Sequence, residues 1–295
     1  MQKTVLSRQQ LIALVVLTLM WGVNWPMMKL SLQQLQPLHF RTLTMGLGML
    51  CLAIYFKSRG VRLMPQNRQD WITIGVLAVP NMLGWHGLSI FGLQQLPSGR
   101  AAILGFTMPV WTVLIGVLFY RQQLTLRLGV AVGAVLLAIG LLLSNELERL
   151  AGSPAGILWM QGAAFAWALG TIWMRRAQTT LSNEALIVWL LGFGTICMAI
   201  LAWLFEAPQS YDFSVPVWIS LAYGVLINYG AAQVLWFGLA RALPPSTSAM
   251  SIMMIPLIGI LSAALIVGEW PQWQDIVAAA CVMLAIAAVL LKRAD

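Results

Sequence analysis

The 295-residue chain is 60% hydrophobic and only 9% charged, and its mean hydropathy is +0.83. Soluble domains carry about 25% charged residues, so this composition excludes a water-soluble globule and indicates that most of the chain is solvated by lipid. The net charge of +8 invites a nucleic-acid partner, but the basic residues lie mostly in short loops between apolar stretches, so we predict no such partner.

Ten apolar stretches follow one another along the chain, each close to the roughly 20 helical residues that cross a bilayer core. The first follows Lys3 and Arg8 without a small-residue cleavage site, so we interpret it as a membrane helix and not as a signal peptide. The predicted helices are Leu11 to Leu30, Leu38 to Phe56, Trp71 to Leu93, Ser98 to Tyr120, Leu126 to Leu143, Ala155 to Met174, Glu184 to Phe205, Val217 to Leu239, Ser246 to Gly268 and Trp273 to Leu291.

The basic residues are divided unequally between the two sides of this predicted bundle. Sorting the 17 Lys and Arg residues by alternate loops places 13 on the side of both termini and four on the other, since 13 and 4 make 17. The positive-inside rule therefore predicts that both termini are cytoplasmic.

The second half of the sequence repeats the first. An offset of 147 residues places Asn81 on Asn228 and Pro109 on Pro256, and an offset of 146 places Trp21 on Trp167. We therefore predict one five-helix repeat at residues 1–148 and another at residues 149–295. Five crossings are an odd number, so the second repeat enters the membrane inverted. The predicted fold class is an all-α integral membrane protein with ten transmembrane helices in two inverted five-helix repeats.

Inverted repeats can exchange conformations and so convert an inward-open state into an outward-open state. This favours a transporter that works by alternating access. A duplicated scaffold without transport is the alternative.

Polar and aromatic side chains near mid-membrane mark a candidate substrate site. Each single Asn could instead form an interhelical hydrogen bond that only holds the bundle together. The candidate substrate-binding residues are Trp21, Asn24, Trp25, Asn81, Trp85, His86, Trp111, Trp167, Asn228, Tyr229, Gln233 and Trp236. Prolines within helices free backbone carbonyls, so Pro26, Pro109 and Pro256 are candidate gating points, with static kinks as the alternative.

The remaining chemistry-bearing residues give weaker signals. His86 is the one deep group that titrates near neutral pH, so proton coupling would involve it, although a hydrogen-bonded packing histidine is the alternative. Lys29, His39, Arg41 and Arg100 fall at outer helix ends, where we expect snorkelling or vestibule charges and not a deep anion site. Small residues such as Gly129 and Gly133 suggest a scaffold role or a homodimer face for the fifth and tenth helices.

The sequence contains none of the catalytic motifs that we searched for: no HExxH, no GxGxxG, no phosphate-loop lysine and no deep carboxylate pair. The three cysteines, Cys51, Cys197 and Cys281, lie in separate helices without metal-ligand spacing. We predict a protein that is not an enzyme and needs no cofactor or metal.

Three segments resemble the EamA family of the drug/metabolite transporter superfamily: WGVNWPMMK in the first helix, GRAAILGFTMPVWTVLIGVLFYRQQLTLR in the fourth and fifth, and STSAMSIMMIPLIGILSAALIVGEWPQWQ in the ninth and tenth. The resemblance covers essentially the whole chain. The matching positions are Trp21, Gly22, Asn24, Lys29, Pro109, Pro256, Gly268 and Glu269. The Gly-Glu pair that the family often shows after the fourth helix is Arg121 and Gln122 here, so this sequence departs from the family pattern in the first repeat and keeps it only in the second, at Gly268 and Glu269.

The resemblance implies a central cavity lined by both repeats, helices five and ten outside it, and export of metabolites across the bacterial inner membrane. We therefore predict a secondary transporter that exports an amino acid or a related neutral or zwitterionic compound. The alternatives are a broad exporter of xenobiotics, whose cavity should contain a deep carboxylate, and a non-transporting membrane subunit.

Overall fold

The computed structural model describes residues 7–121, 123, 125–148, 153–242 and 253–290, and every regular element in these ranges is helical. Within these ranges, eight helices have the length and apolarity to cross a membrane, and two shorter apolar helices follow. The helices are α1 (Arg8–Ser31), α2 (Pro37–Ser58), α3 (Arg68–Gln95), α4 (Ser98–Tyr120), α5 (Leu126–Glu148), α6 (Pro154–Arg176), α7 (Asn183–Phe205), α8 (Val215–Ala222, Tyr223–Ala231 and Ala232–Ala242), α9 (Ile255–Val267) and α10 (Trp273–Leu290). The predicted start of the ninth helix, Ser246, lies outside the described residues.

Side chains at the helix starts explain several boundaries. Ser7 and Gln10 form a reciprocal capping box at α1, Asn67 accepts a hydrogen bond from the Asp70 amide at α3, and Ser182 caps α7. Each cap satisfies a backbone N–H that has no partner within its own helix. The helices α2 and α6 instead begin with Pro37 and Pro154, whose missing N–H is harmless in a first turn.

Equivalent residues end α4 and α9. Arg121 has φ 53° and Gly268 has φ 70°, so both adopt the left-handed conformation. Glycine takes this conformation freely, whereas a residue with a Cβ is strained by about 1 kcal/mol or more. The first repeat thus has the same left-handed turn as the second, but with an arginine where the second has a glycine.

The two repeats interlock through exchanged contacts. In two cases a helix packs against the equivalent helix of the other repeat: α2 lies along α7, and α5 lies along α10. The others pack across the repeats: α1 contacts α8 and α9, and α6 contacts α3 and α4. This arrangement, together with the odd number of crossings, gives the ten-helix bundle of two inverted repeats that the sequence predicts.

Small residues form the interface between α5 and α10. Ala131, Ala138, Ala278 and Ala285 are fully buried, which lets the two helices approach closely. By contrast, Gly129 and Gly133 are exposed, and a Cβ added at either would meet nothing within 4 Å. The glycine face therefore points away from the described part of the bundle, and the homodimer through α5 and α10 stays a prediction.

Both third helices contain a π-helical segment at an equivalent depth. The segment in α3 is Val79–Gly87 and the segment in α8 is Tyr223–Ala231, so the equivalent residues Asn81 and Asn228 each lie in one. Pro80 supplies a local cause for the first segment because it cannot donate a backbone hydrogen bond. The second segment has no proline. Wider π turns occur preferentially at functional sites.

The candidate gating prolines occupy different backbone settings. Pro26 lies inside the continuous helix α1. Pro109 is the second residue after a break in α4, between Gly105 and Met108, and Pro256 is the second residue of α9. At those two positions the missing proline N–H leaves no gap in the helical hydrogen bonds. The gating role of Pro26, Pro109 and Pro256 stays a prediction.

Candidate functional site

Tryptophan pairs join the two repeats at the centre of the bundle. Trp21 of α1 contacts Trp236 of α8, with ring centroids 5.5 Å apart, and Trp167 of α6 contacts Trp85 of α3 at 5.3 Å. Each pair therefore links the first helix of one repeat to the third helix of the other. Trp25 meets Trp85 edge-on at 6.4 Å and extends the second pair back to α1. We refer to Trp21, Trp25, Trp85, Trp167 and Trp236 as the tryptophan cluster.

Asn24 lies one residue before Trp25 and is 8% exposed. Its Oδ1 atom is buried and has no hydrogen-bond partner among the described residues. A buried carbonyl oxygen without a donor costs about 1 to 3 kcal/mol, so such an atom in a membrane helix indicates a place for a donor that the protein itself does not supply.

A polar network lies beside the tryptophan cluster. The Tyr229 hydroxyl is 3.1 Å from His86 Nδ1, and Arg41 donates from Nε to the His86 carbonyl at 2.9 Å. The Arg41 Nη1 atom lies 3.4 Å from the same hydroxyl, and Nη2 donates to Ser89 Oγ at 3.1 Å. The network thus connects α2 and α3 of the first repeat with α8 of the second. It also gives the His86 ring a hydrogen-bond partner.

The other mid-membrane amides differ in their surroundings. Asn81 is 2% exposed, donates to the Leu77 carbonyl at 2.8 Å, and packs so closely over Gly170 that a Cβ there would overlap its amide group. The Asn81 side chain therefore has a hydrogen-bond partner within α3 and is packed against α6. Asn228 and Gln233 are only partly buried, and their side chains show no hydrogen bond to any other described residue. A role for these three in substrate binding stays a prediction.

Trp111 lies apart from the tryptophan cluster. Its Nε1 donates to Gln161 Oε1 at 3.0 Å, Thr107 Oγ1 lies 3.2 Å from the same oxygen, and its ring meets Phe165 edge-on. Gln161 therefore connects α4 to α6 next to the break in α4. The sequence analysis missed this residue, although a lone glutamine within an apolar helix was a visible signal.

The four basic side chains predicted to snorkel or to line a vestibule at outer helix ends are all bound by other groups of the protein. Arg41 and Arg100 are each only 2% exposed, so the prediction is wrong for both. His39 pairs with Glu206 at 2.6 Å, and Lys29 Nζ donates to the carbonyls of Leu93, Gln94 and Leu96. Partners distant in sequence hold these charges in the protein, which hydropathy cannot reveal.

Arg100 is the centre of a buried ionic cluster at the start of α4. Its guanidinium binds Asp275 of α10, with Nε 2.6 Å from Oδ1, and binds Glu146 of α5 on its other side. Nearby, Glu269 Oε2 accepts hydrogen bonds from the Ser98 amide at 2.5 Å and the Ser98 hydroxyl at 2.6 Å, which caps the start of α4. The retained Gly268–Glu269 pair therefore ties the α9–α10 connection to α4.

Comparison with known proteins places these features in a family. The model of the EamA-like transporter family matches residues 9–145 and again residues 154–291. The chain belongs to the EamA-like transporter family and is a multi-pass membrane protein with a duplicated family domain.

Several bacterial transporters are similar to this chain over most of their length. The uncharacterized transporter YvbV of Bacillus subtilis is 28% identical over 262 residues, covering 87% of this chain and 83% of YvbV. The uncharacterized transporter YoaV of the same organism is 21% identical, covering 85% and 86%. A probable amino-acid metabolite efflux pump of Escherichia coli is 21% identical, covering 90% and 89%.

One solved protein crystal structure shares the fold, with a TM-score of 0.64 at 18% identity, covering 94% of this chain and 96% of the other. The transporter relatives point to a protein that carries solutes and does not catalyse a reaction.

Proposed function

We propose that this protein exports a small neutral or zwitterionic metabolite, an amino acid or a related compound, from the bacterial cytoplasm by alternating access. The observation that carries the proposal is the buried, unpartnered Oδ1 of Asn24 next to the tryptophan cluster. An amide oxygen can accept from a substrate ammonium or hydroxyl group, and the indole rings supply flat apolar surface for the rest of the molecule.

The exchanged helix contacts support alternating access. Because α1 packs on α8 and α9 while α6 packs on α3 and α4, the two repeats can trade these arrangements and open the bundle at opposite ends. The third helix of each repeat contains one of the π-helical segments. Trp85 lies within the segment of α3, and Trp236 follows the segment of α8. Wider backbone turns there allow local rearrangement next to the proposed site.

The acidic residues argue against a carrier of cationic xenobiotics. Glu146 and Asp275 bind Arg100, Glu206 binds His39, and Asp70 accepts from the Thr179 and Thr180 hydroxyls. Each of these carboxylates is thus already engaged. A cationic substrate would therefore find no free counter-ion among these four carboxylates.

The name of the Escherichia coli relative supports an amino-acid metabolite as substrate and efflux as direction. We extend both to this chain as part of the proposal, together with an inner-membrane location and cytoplasmic termini.

The test uses purified protein in proteoliposomes loaded with a panel of amino acids and related metabolites. Wild-type protein should release at least one of them, and Asn24→Ala should raise its KM about tenfold, since losing one hydrogen bond to a charged group costs about 1.5 kcal/mol or more. Asn145→Ala is the matched control, because Asn145 is also a buried asparagine whose Oδ1 has no partner among the described residues, but it lies away from the tryptophan cluster, and its Nδ2 donates to Gln272 Oε1 at 2.8 Å beside Arg100.

Unchanged efflux kinetics in Asn24→Ala would contradict the proposed site. A wild-type protein that moves no panel compound, and that copurifies stoichiometrically with another membrane protein, would favour a non-transporting subunit. Accumulation in everted vesicles identifies export as the direction.

A further inference from the structure

Arg41 is a fully positive side chain buried in the bundle. It is 2% exposed and lies one turn into α2, enclosed by Met28 of α1, His86 and Ser89 of α3, and Tyr229 of α8. Guanidinium groups remain charged under all physiological conditions. The site therefore holds one buried positive charge between the two repeats.

Neutral groups are the partners of this charge. Nε binds the His86 carbonyl at 2.9 Å and Nη2 binds Ser89 Oγ at 3.1 Å, both at good distances. The contacts of Nη1 are weaker: they run to a thioether sulfur, Met28 Sδ, and to the Tyr229 hydroxyl, each at 3.4 Å. The ion pairs formed among the described residues involve Arg100 and His39 and leave Arg41 without a carboxylate.

Arg100 shows how the same protein treats a charge that serves the fold. It is as deeply buried as Arg41, yet two carboxylates and the Gln272 amide oxygen surround it. A buried charge without a counter-ion is strongly unfavourable, and buried charges are accordingly paired. The difference between the two arginines indicates that the counter-ion of Arg41 comes from outside the chain.

We propose that Arg41 binds the carboxylate of the transported substrate, so that the substrate class is the α-amino acids or related monocarboxylates. This rests on the proposed function. The long Nη1 contacts mark the side of the guanidinium fork where carboxylate oxygens displace Met28 Sδ and share the Tyr229 hydroxyl. A carboxylate is favoured over phosphate because one cation neutralises a monoanion and leaves a dianion with excess charge.

Asn24 lies at the right place for the other end of such a substrate. Asn24 and Met28 are four residues apart on α1 and so share one face, with Cβ atoms about 5 to 6 Å apart. Met28 touches Arg41, whereas Asn24 Oδ1 has no donor among the described residues. We therefore expect the ammonium group of a substrate whose carboxylate binds Arg41 to face Asn24 Oδ1.

The test compares matched acids and amides. Efflux from proteoliposomes is measured for amino acids and their α-carboxamides, for example leucine with leucinamide and phenylalanine with phenylalaninamide. Wild-type protein should prefer the acid at least tenfold, Arg41→Gln should lose the preference, and Arg41→Lys should keep part of it. Lys29→Gln is the control, since Lys29 is also basic but binds the carbonyls at the end of α3, and it should keep the wild-type preference.

A second measurement separates this inference from the proposed function. The melting temperature of purified protein is compared in acetate, acetamide and inorganic phosphate at constant ionic strength. Acetate should stabilise the wild type and not Arg41→Gln. Wild-type efflux of amides as fast as acids overturns the carboxylate inference and leaves export intact, and stronger protection by phosphate overturns the choice of carboxylate.

Absence of efflux together with acetate protection that needs Arg41 removes the proposed function and retains the anion site. Absence of both removes both. If Arg41→Gln does not fold, the acid-to-amide ratio of the wild type and the Arg41→Lys variant decide the question.

Discussion

Replacing Arg100 with methionine should destabilise the protein by about 3 to 5 kcal/mol, the cost of breaking a buried ion pair by removing one partner. Arg100 is 2% exposed, and the side chains of Glu146 and Asp275 are 4% and 8% exposed. Methionine fills much of the same volume but leaves two carboxylates buried next to each other without a cation. At about 2 °C per kcal/mol for a chain of this size, the melting temperature should fall by about 6 to 10 °C.

The assay is thermal unfolding in one detergent, followed by fluorescence-detected gel filtration. The triple variant Arg100→Met, Glu146→Gln and Asp275→Asn removes all three charges together and should recover part of the loss, because no unpaired charge is then left buried. An Arg100→Met protein as stable as the wild type would refute the reasoning. So would a triple variant as unstable as the single one.

Three further predictions concern packing, backbone and topology. Gly170→Ala should destabilise the protein by about 1 to 3 kcal/mol and lower its melting temperature, because the added Cβ would overlap the Asn81 amide. Gly75→Ala is the control and should not lower the melting temperature, since a Cβ there meets nothing within 4 Å. Equal losses in both variants would contradict this explanation. Arg121→Gly should raise the melting temperature by relieving about 1 kcal/mol of left-handed strain at φ 53°, and an unchanged or lower value would argue against that strain. A green fluorescent protein fused after residue 295 should fluoresce, and alkaline phosphatase inserted after residue 211 should be active; the reverse pattern would overturn the predicted orientation.

Hydropathy and repetition were enough to predict the framework of the fold. The apolar stretches gave ten helices because the backbone of a lipid-exposed segment must satisfy its own hydrogen bonds, and a helix does so locally. The alignment of Asn81 with Asn228 revealed the duplication without any knowledge of the packing. The tryptophans of the candidate site were visible for the same reason, since their depth follows from position along a helix.

The partners of these residues could not be predicted, because they depend on which helices pack together. Trp21 meets Trp236 rather than its repeat equivalent Trp167, and Arg100 meets Asp275 from a helix at the other end of the chain. The sequence places Arg41 near a helix end, where exposure is the usual outcome. Only the convergence of α1, α3 and α8 on α2 buries it. The π-helical segment at Tyr223 lacks even the proline that accompanies its counterpart.

The Arg100 cluster has a consequence for the order in which the protein is made. Asp275 follows Arg100 by 175 residues, so α4 enters the membrane long before its second anion exists. At a translation rate of about 5 to 20 residues per second the wait is roughly 10 to 35 s. For the first part of that time Arg100 has neither counter-ion, because Glu146 follows it by 46 residues, and afterwards it has only Glu146. The end of α4 therefore keeps an incompletely neutralised charge. Insertion of α10 then completes the cluster and adds a further connection between the repeats to the contacts that α2 makes with α7 and that α1 makes with α8 and α9.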